Sequence, residues 1–225
     1  MAEIFPVAII YTQFPAKFGI PRQSGLVDTV SKIVLEEKYR SAEAVRGLEG
    51  FSHLWLIWEF SENTEKKPSL TVRPPRLGGN KRMGVFATRS PFRPNNLGLS
   101  SVEIVSIDLD CKDAPVIYVK GADILDGTPI YDIKPYLSFT DSHPNARDGF
   151  SEKVFSDNLE VIFEENTLSC VKEEDIPVIR EILSEDPRPH YHEDESRIYS
   201  FEFSSYKIKF RVNKSTLNVV EISLL

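Results

Sequence analysis

Residues 51–60, FSHLWLIWEF, restrict the possible folds of this chain more than any other stretch. Their aromatic content suits a strand better than a surface helix. As a strand they place Leu54, Leu56, Trp58 and Phe60 on one face and Phe51, His53, Trp55 and Ile57 on the other. Both faces are apolar, so both need cover: one from the core, the other from a helix or a partner subunit.

Further strands are predicted at residues 4–12, 83–89, 102–109, 116–122 and 130–136. Turn signals separate them at Gly78-Gly79, Pro94-Asn95-Asn96, residues 113–115 and Asp126-Gly127. One short helix is expected at residues 41–50, from Ser41 as N-cap to Gly50 as stop, and residues 15–26 read as a loop. Many short strands without strand–helix alternation predict a mainly β fold, a small barrel or strongly curved sheet, and argue against a doubly wound one. From about residue 139 the pattern loosens into a polar linker. Residues 151–196 then hold fourteen acidic against four basic side chains. A helix is expected at 173–183, with Ile176, Ile179, Ile182 and Leu183 on one stripe, and strands at 198–203, 207–212 and 217–222. The expected division is a barrel domain at 1–140, a linker at 141–157 and a small α+β domain at 158–225.

The chain shows no apolar run of the ~20 residues that would span a bilayer, and no basic leader, so the cytoplasm is the expected compartment. Cys111 and Cys170 stand alone, without CxxC spacing or clustered His, and no metal site is expected. The net charge of −7 argues against nucleic acid until its distribution is considered. Residues 66–99 carry eight basic side chains (Lys66, Lys67, Arg73, Arg76, Lys81, Arg82, Arg89, Arg93) and no acid. Such a concentrated positive segment is either a phosphate-binding surface or a set of arginines paired to carboxylates elsewhere in the fold.

Two segments carry the unusual residues. In the first, residues 71–104, Arg89 and Arg93 flank prolines in a loop; they reach a phosphate or a ligand carboxylate, or else brace the loop. In the second, residues 121–137, Asp123, Asp126 and Asp132 lie within ten positions, followed by Lys134 and Tyr136. Carboxylates at strand ends hold a ribose, orient an amine or accept a proton, although Asp126-Gly127 is first of all a turn former.

Together, RPPRLGGNKRMGVFATRSPFRPNNLGLS and DILDGTPIYDIKPYL resemble the TrmO (YaeB or TsaA-like) family of tRNA methyltransferases. PRQSG, EAVRGLEGFSHLWLIWEF and DPRPHY support the likeness, which runs in consistent order from Ile4 to Tyr191. The resemblance implies a non-Rossmann β-barrel that binds S-adenosylmethionine, acts as a homodimer, and methylates N6 of threonylcarbamoyladenosine beside the tRNA anticodon. It places cofactor contacts at Pro21, Arg22, Gln23, Ser61, Glu62, Arg89, Leu99, Leu125, Asp126, Gly127 and Thr128. Two positions depart from many relatives: Ser61 where they have His, and Asn96 where they have a second Pro.

Methyl transfer is an in-line displacement, so the chain must align two reactants and exclude water. Asp126 or Asp132 is the expected proton acceptor for N6, tuned by Lys134 or Tyr136. Arg73, Arg76, Lys81, Arg82 and Arg93 are the expected phosphate contacts for the anticodon loop. Trp55 and Trp58 offer stacking surface, or fill a core or dimer seam. Rival readings are a non-catalytic RNA-binding module, a dimerisation barrel, and a methyltransferase acting on another small substrate.

Overall fold

The computed structural model describes residues 3–63, 69–74, 81–151, 158–188 and 194–225. In chain order the first unit contains β1 (Ala8–Tyr11), β2 (Val30–Leu35), the single-turn helix α1 (Ala42–Val45), β3 (His53–Glu59), the two-residue strands β4 (Thr71–Val72) and β5 (Met83–Gly84), then β6 (Leu97–Asp108), β7 (Val116–Lys120) and β8 (Thr128–Pro135). All of these strands except β4 and β5, which pair with each other, close a barrel in the order β1-β2-β7-β6-β3-β8. Every neighbouring pair is antiparallel.

Alternation along β3 builds the core. Leu54, Leu56 and Trp58 turn inward and meet Ala8, Ile10, Ile33, Val102, Ile117, Val119 and Ile130, all buried. Each such aliphatic side chain contributes about 1.5–3 kcal/mol on burial. These side chains fill the interior, as small barrels require. The other face of β3, with His53, Trp55 and Ile57, is half-buried and looks outward.

Local chemistry explains where the strands differ from expectation. β2 is a strand that the pattern hides, because Ser31 points inward while Val30, 45% exposed, points out. β6 begins at Leu97 rather than 102. Its first turn toward the core is made by Gly98 and Ser100, small residues that the large indole of Trp58 needs opposite it: a Cβ on Gly98 would lie 2.3 Å from the ring. The strand expected at 83–89 shortens to β5, because a tight turn follows at once at Val85–Ala87, with Val85 buried. Thr88 closes that turn, its Oγ1 donating to the Val85 carbonyl at 2.8 Å. The helix expected at 41–50 breaks at Gly47, whose φ of 86° is the left-handed conformation that glycine accepts freely. The segment from residue 4 joins the sheet only from Val7, with the strand itself starting at Ala8, and Ile4 and Phe5 are exposed.

A bulge in β8 matters for the outer wall. Ile57 pairs with Asp132 but Trp58 pairs with Ile130, so Tyr131 is the extra residue. Ile130 and Ile133, three apart, therefore both pack on the core, and Asp132 faces out. Tyr131 reaches back across the pair, its hydroxyl donating to Glu59 Oε2 at 2.5 Å.

The second unit comprises Phe14–Pro21 and Leu137–Leu225. After the single turn of α2 (Ser138–Asp141), its sheet runs β10 (Tyr199–Phe203), β11 (Tyr206–Asn213), β12 (Thr216–Leu224) and β9 (Glu160–Phe163), with β9 parallel to β12. Helix α3 (Asp175–Ser184) buries Ile179, Ile182 and Leu183. Strict alternation along β11 turns Tyr206, Ile208, Phe210 and Val212 inward, while Lys209 and Arg211 pair outside with Glu221 and Glu164. Phe14 packs on Phe203 at 5.6 Å between ring centroids and Phe18 meets the edge of Phe201, so part of the early loop belongs to this unit.

Two outcomes follow. Gly98→Ala should lose about 1–3 kcal/mol in chemical denaturation, the usual cost of overpacking a filled core. The Glu59 bond, with burial, pushes the Tyr131 phenol up to about 12. Its stabilisation is therefore complete below pH ~10, where an unfolded tyrosine starts to ionise, and disappears as pH rises through the folded value. Tyr131→Phe should cost about 1 kcal/mol at neutral pH, and the difference from wild type should shrink above pH 10.

Candidate active site

Antiparallel closure sorts the barrel's connections between two rims. The ends of β1, β3 and β7 and the starts of β2, β6 and β8 share one of them. There stand Thr12, residues 22–29, Ser61 to Asn63, Asn95 and Asn96, and residues 121–128. Most of the candidates scattered through the sequence arrive at this rim because their strands alternate direction.

The best-connected group surrounds Asp123. Lys120 at the end of β7 pairs with Glu103, and the chain continues beside β6 until Asp123 reaches Ser100. Ser100 Oγ donates to Asp123 Oδ1 at 2.5 Å and accepts from Trp58 Nε1 at 2.9 Å. Burial pushes the Asp123 carboxyl above its ordinary pKa, against the opposing pull of Ser100, of its own N–H, of Arg89 nearby and of the Ser24 N–H. Arg89 Nη1 donates to Gln23 Oε1, and Gln23 Nε2 donates to the Arg22 carbonyl. Gly25 N–H donates to the Gly121 carbonyl at 2.9 Å, and the two backbones pass so close that a Cβ on Gly121, itself at φ +83°, would lie 3.2 Å from Gly25. Arg22, Gln23 and Arg89 are thus brought together with Asp123, whereas Pro21 belongs to the second unit.

The acidic turn is locked to β1. The Thr12 N–H donates to Asp126 Oδ1 at 2.8 Å, Thr12 Oγ1 to the Ile124 carbonyl at 3.0 Å, and the Gly127 N–H to the Ile10 carbonyl at 3.0 Å. Thr128 Oγ1 closes the turn on the Leu125 carbonyl. Asp126 thus serves the turn with one oxygen, and the residue is exposed on the rim. Beyond β3, the Phe60 N–H donates to the Asn96 carbonyl at 2.8 Å. That position uses its carbonyl, which proline also has, so Asn96 keeps the contact. The Ser61 N–H folds back on Glu59, Glu62 is exposed, and the buried Asn63 Nδ2 has no hydrogen-bond partner among the described residues.

The four residues expected to handle the proton do not converge. Asp126 sits on the rim described above, and the eight residues of β8 carry the chain roughly 25 Å toward the opposite rim. Asp132 and Lys134 form an ion pair at 3.1 Å on the outer wall, and the Tyr136 ring lies 5.6 Å from that of Trp55. Leu99, 56% exposed, also faces out, in register with Ile57.

In the basic stretch, Arg82 donates to Thr71 Oγ1 and to the Thr71 carbonyl, and Arg93 to the Thr88 carbonyl, so both brace their own loop. Arg73, just after β4, and Lys81, just before β5, are exposed; Arg76, Lys66, Lys67 and Gly78-Gly79 lie outside the described residues. Sequence reasoning overlooked two residues here and left a third, Asp123, undistinguished among three carboxylates. Asn63 carried no signal at all. Phe86, 78% exposed between basic residues, was hidden inside an expected strand. Trp58 is buried and bonded to Ser100, which removes it as a stacking surface. Among the described residues no three His, Cys, Asp or Glu side chains gather as metal ligands, and no helix is long and apolar enough to cross a membrane.

Comparison with known proteins agrees over both units. Residues 9–142 match the family model of the tRNA-methyltransferase O N-terminal domain, and residues 156–225 that of the TrmO C-terminal domain. A tRNA (adenine(37)-N6)-methyltransferase of Escherichia coli is 40% identical over 222 residues, 95% of this chain and 94% of that protein. A putative S-adenosylmethionine-dependent methyltransferase of Pseudomonas aeruginosa is 37% identical, over 86% of this chain and 84% of that one. The crystal structure of TrmO from Pseudomonas aeruginosa superposes with a TM-score of 0.82 at 28% identity, covering 100% of this chain and 98% of the other. Matched in both halves by family models and along its full length by a solved structure, the chain belongs to the TrmO family.

Proposed function

We propose that this chain transfers a methyl group from S-adenosylmethionine to N6 of adenine 37 in the tRNA anticodon loop, with threonylcarbamoyladenosine as the substrate base. The observation that carries the reading is the gathering, on one barrel rim, of a guanidinium, two exposed carboxylates and a buried amide from segments far apart in sequence. Those groups fit the donor chemically. Arg89 suits its carboxylate, Glu62 and Asp126 suit hydroxyls or an ammonium, and Asn63 Nδ2, buried without a partner among the described residues, suits an acceptor oxygen. The barrel interior is filled by side chains, so the donor belongs on the rim and outer wall, where Leu99 also lies.

When bound, S-adenosylmethionine supplies an electrophilic methyl group on a sulfonium. The chain's part is alignment and proton handling. Of the four proton-handling candidates, Asp126 alone stands on this rim, held by Thr12 and Gly127, and it is the residue we assign to accept the N6 proton. Arg73 and Lys81 meet phosphates. Arg82 and Arg93 hold the loop in shape and offer their remaining N–H groups. Phe86 replaces the tryptophans as the aromatic surface for an unstacked base. The half-buried outer face of Trp55, Ile57 and Tyr136, with Leu99, is assigned to a second copy of the chain, which would supply the cover that the two-faced strand demands. The compartment assigned is the cytoplasm.

Calorimetric titration should show S-adenosylmethionine binding that Arg89→Met weakens about 10–100-fold, as for losing a charge-assisted hydrogen bond. Asp126→Asn should keep that binding yet slow single-turnover methylation of threonylcarbamoylated tRNA about 10²–10⁴-fold. Identical tRNA nucleoside mass spectra from cells with and without this protein would refute the reading. Affinity for tRNA should fall steeply with salt, and Arg73→Ala or Lys81→Ala should each reduce the log–log slope by about one. Light scattering should give about twice 25.6 kDa for the wild type and a single copy for Ile57→Glu.

A further inference from the structure

We propose that Asp123 is a positioning residue: its carboxylate fixes the main chain at Ser24 and holds Arg89 in place for the methyl donor, without touching the donor itself. The inference rests on the reading of Arg89 as the donor's clamp and extends it to the group that sets the clamp.

The geometry begins in the barrel wall. Gly98 leaves room for the Trp58 indole, and the indole N–H donates to Ser100, a serine only 1% exposed on the inner side of β6. With that bond accepted, the single hydroxyl proton of Ser100 is directed to Asp123 Oδ1. A chain of bonds of this kind polarises along its length, and here it ends on a carboxylate. The wall thus dictates where Asp123 stands. Asp123 in turn accepts the Ser24 N–H, which ties down the segment that presents Gln23. Arg89, exposed at the same rim, is near enough for its charge to act on that carboxylate, and its guanidinium donates to the Gln23 side chain next to Ser24. Gly25 and Gly121 clasp the same two segments one step further on. A half-buried carboxylate gains from a nearby counter-charge, and a flexible guanidinium needs a fixed one to lose its freedom in advance of binding. Each group supplies what the other lacks.

Asp123→Asn keeps the shape and one acceptor oxygen but removes the charge that acts on Arg89. Titration calorimetry with S-adenosylmethionine, and separately with S-adenosylhomocysteine, should show binding weakened about tenfold, the order expected for one charge-assisted contact. Single-turnover methylation at saturating donor should stay within about threefold of wild type, so the loss falls on KM rather than kcat. In an Arg89→Met background the same change should cost less than twofold, because the two act as a unit. Nuclear magnetic resonance should show the Trp58 indole N–H signal displaced in both Asp123→Asn and Ser100→Ala, which reads the bond chain without any assay of activity. Ser100→Ala, a milder change should Asp123→Asn misfold, is expected to weaken binding about threefold in the wild-type background and not at all beside Arg89→Met. Wild-type donor affinity in Asp123→Asn or in folded Ser100→Ala, alongside weakened binding in Arg89→Met, overturns the proposal. So does an equal loss with and without Arg89. Wild-type affinity in Arg89→Met itself instead overturns the clamp reading on which the proposal is built.

Discussion

Trp58 must place an indole inside a six-stranded barrel already filled by isoleucine, leucine and valine, and the space exists only because its register partner is Gly98. Much of the site depends on that packing. With the ring flat against the glycine, its N–H meets Ser100, and the serine passes the constraint to Asp123 at the rim. A buried polar group left unsatisfied is costly, and here the serine, the indole and the carboxylate satisfy one another as one connected set. The apolar wall and the polar rim are in this sense one construction: core packing sets the position of a charge.

The basic stretch divides its labour in the same way. Arg82 and Arg93 direct guanidinium N–H groups to the backbone or side chains of their own loop, where the Thr71 and Thr88 carbonyls accept them. Arg73 and Lys81 are exposed and Arg89 points toward the rim group. One segment rich in cations therefore contains structural braces, phosphate-facing charges and a clamp. Among the described residues of this segment only short elements occur, the two-residue β5 and the turn at Val85–Ala87, so Arg82, Arg89 and Arg93 are not held on one face.

Much of the fold was legible. The period-two pattern of β3 gave its inward and outward faces, and turn residues marked Asp126-Gly127 as the entry to β8. In the C-terminal part the stripe of α3 and the alternation of β11 were equally plain. β2 escaped because Ser31 inside and Val30 outside invert the usual polarity, and β9 because its four residues make their parallel pairing with a strand more than fifty positions away. The candidate residues were legible as types, and the resemblance named most of them. Their grouping was not. Asp126, Asp132, Lys134 and Tyr136 look like one cluster on paper, but an extended strand moves each successive residue about 3.3 Å along and carries the last of them to the far rim.

By itself, then, the sequence determined the class of fold, the faces of its strongest strands, the polarity of its charged segments and the family to which its motifs point, because each of these is encoded in residue type and short-range period. Only tertiary structure decided which of those residues meet. Antiparallel closure brings Gln23, Arg89, Ser100 and Asp123 to one rim from four separate segments, and a bulge at Tyr131 turns Asp132 outward. Both are consequences of register, which depends on pairing between distant strands and leaves no local trace in the chain.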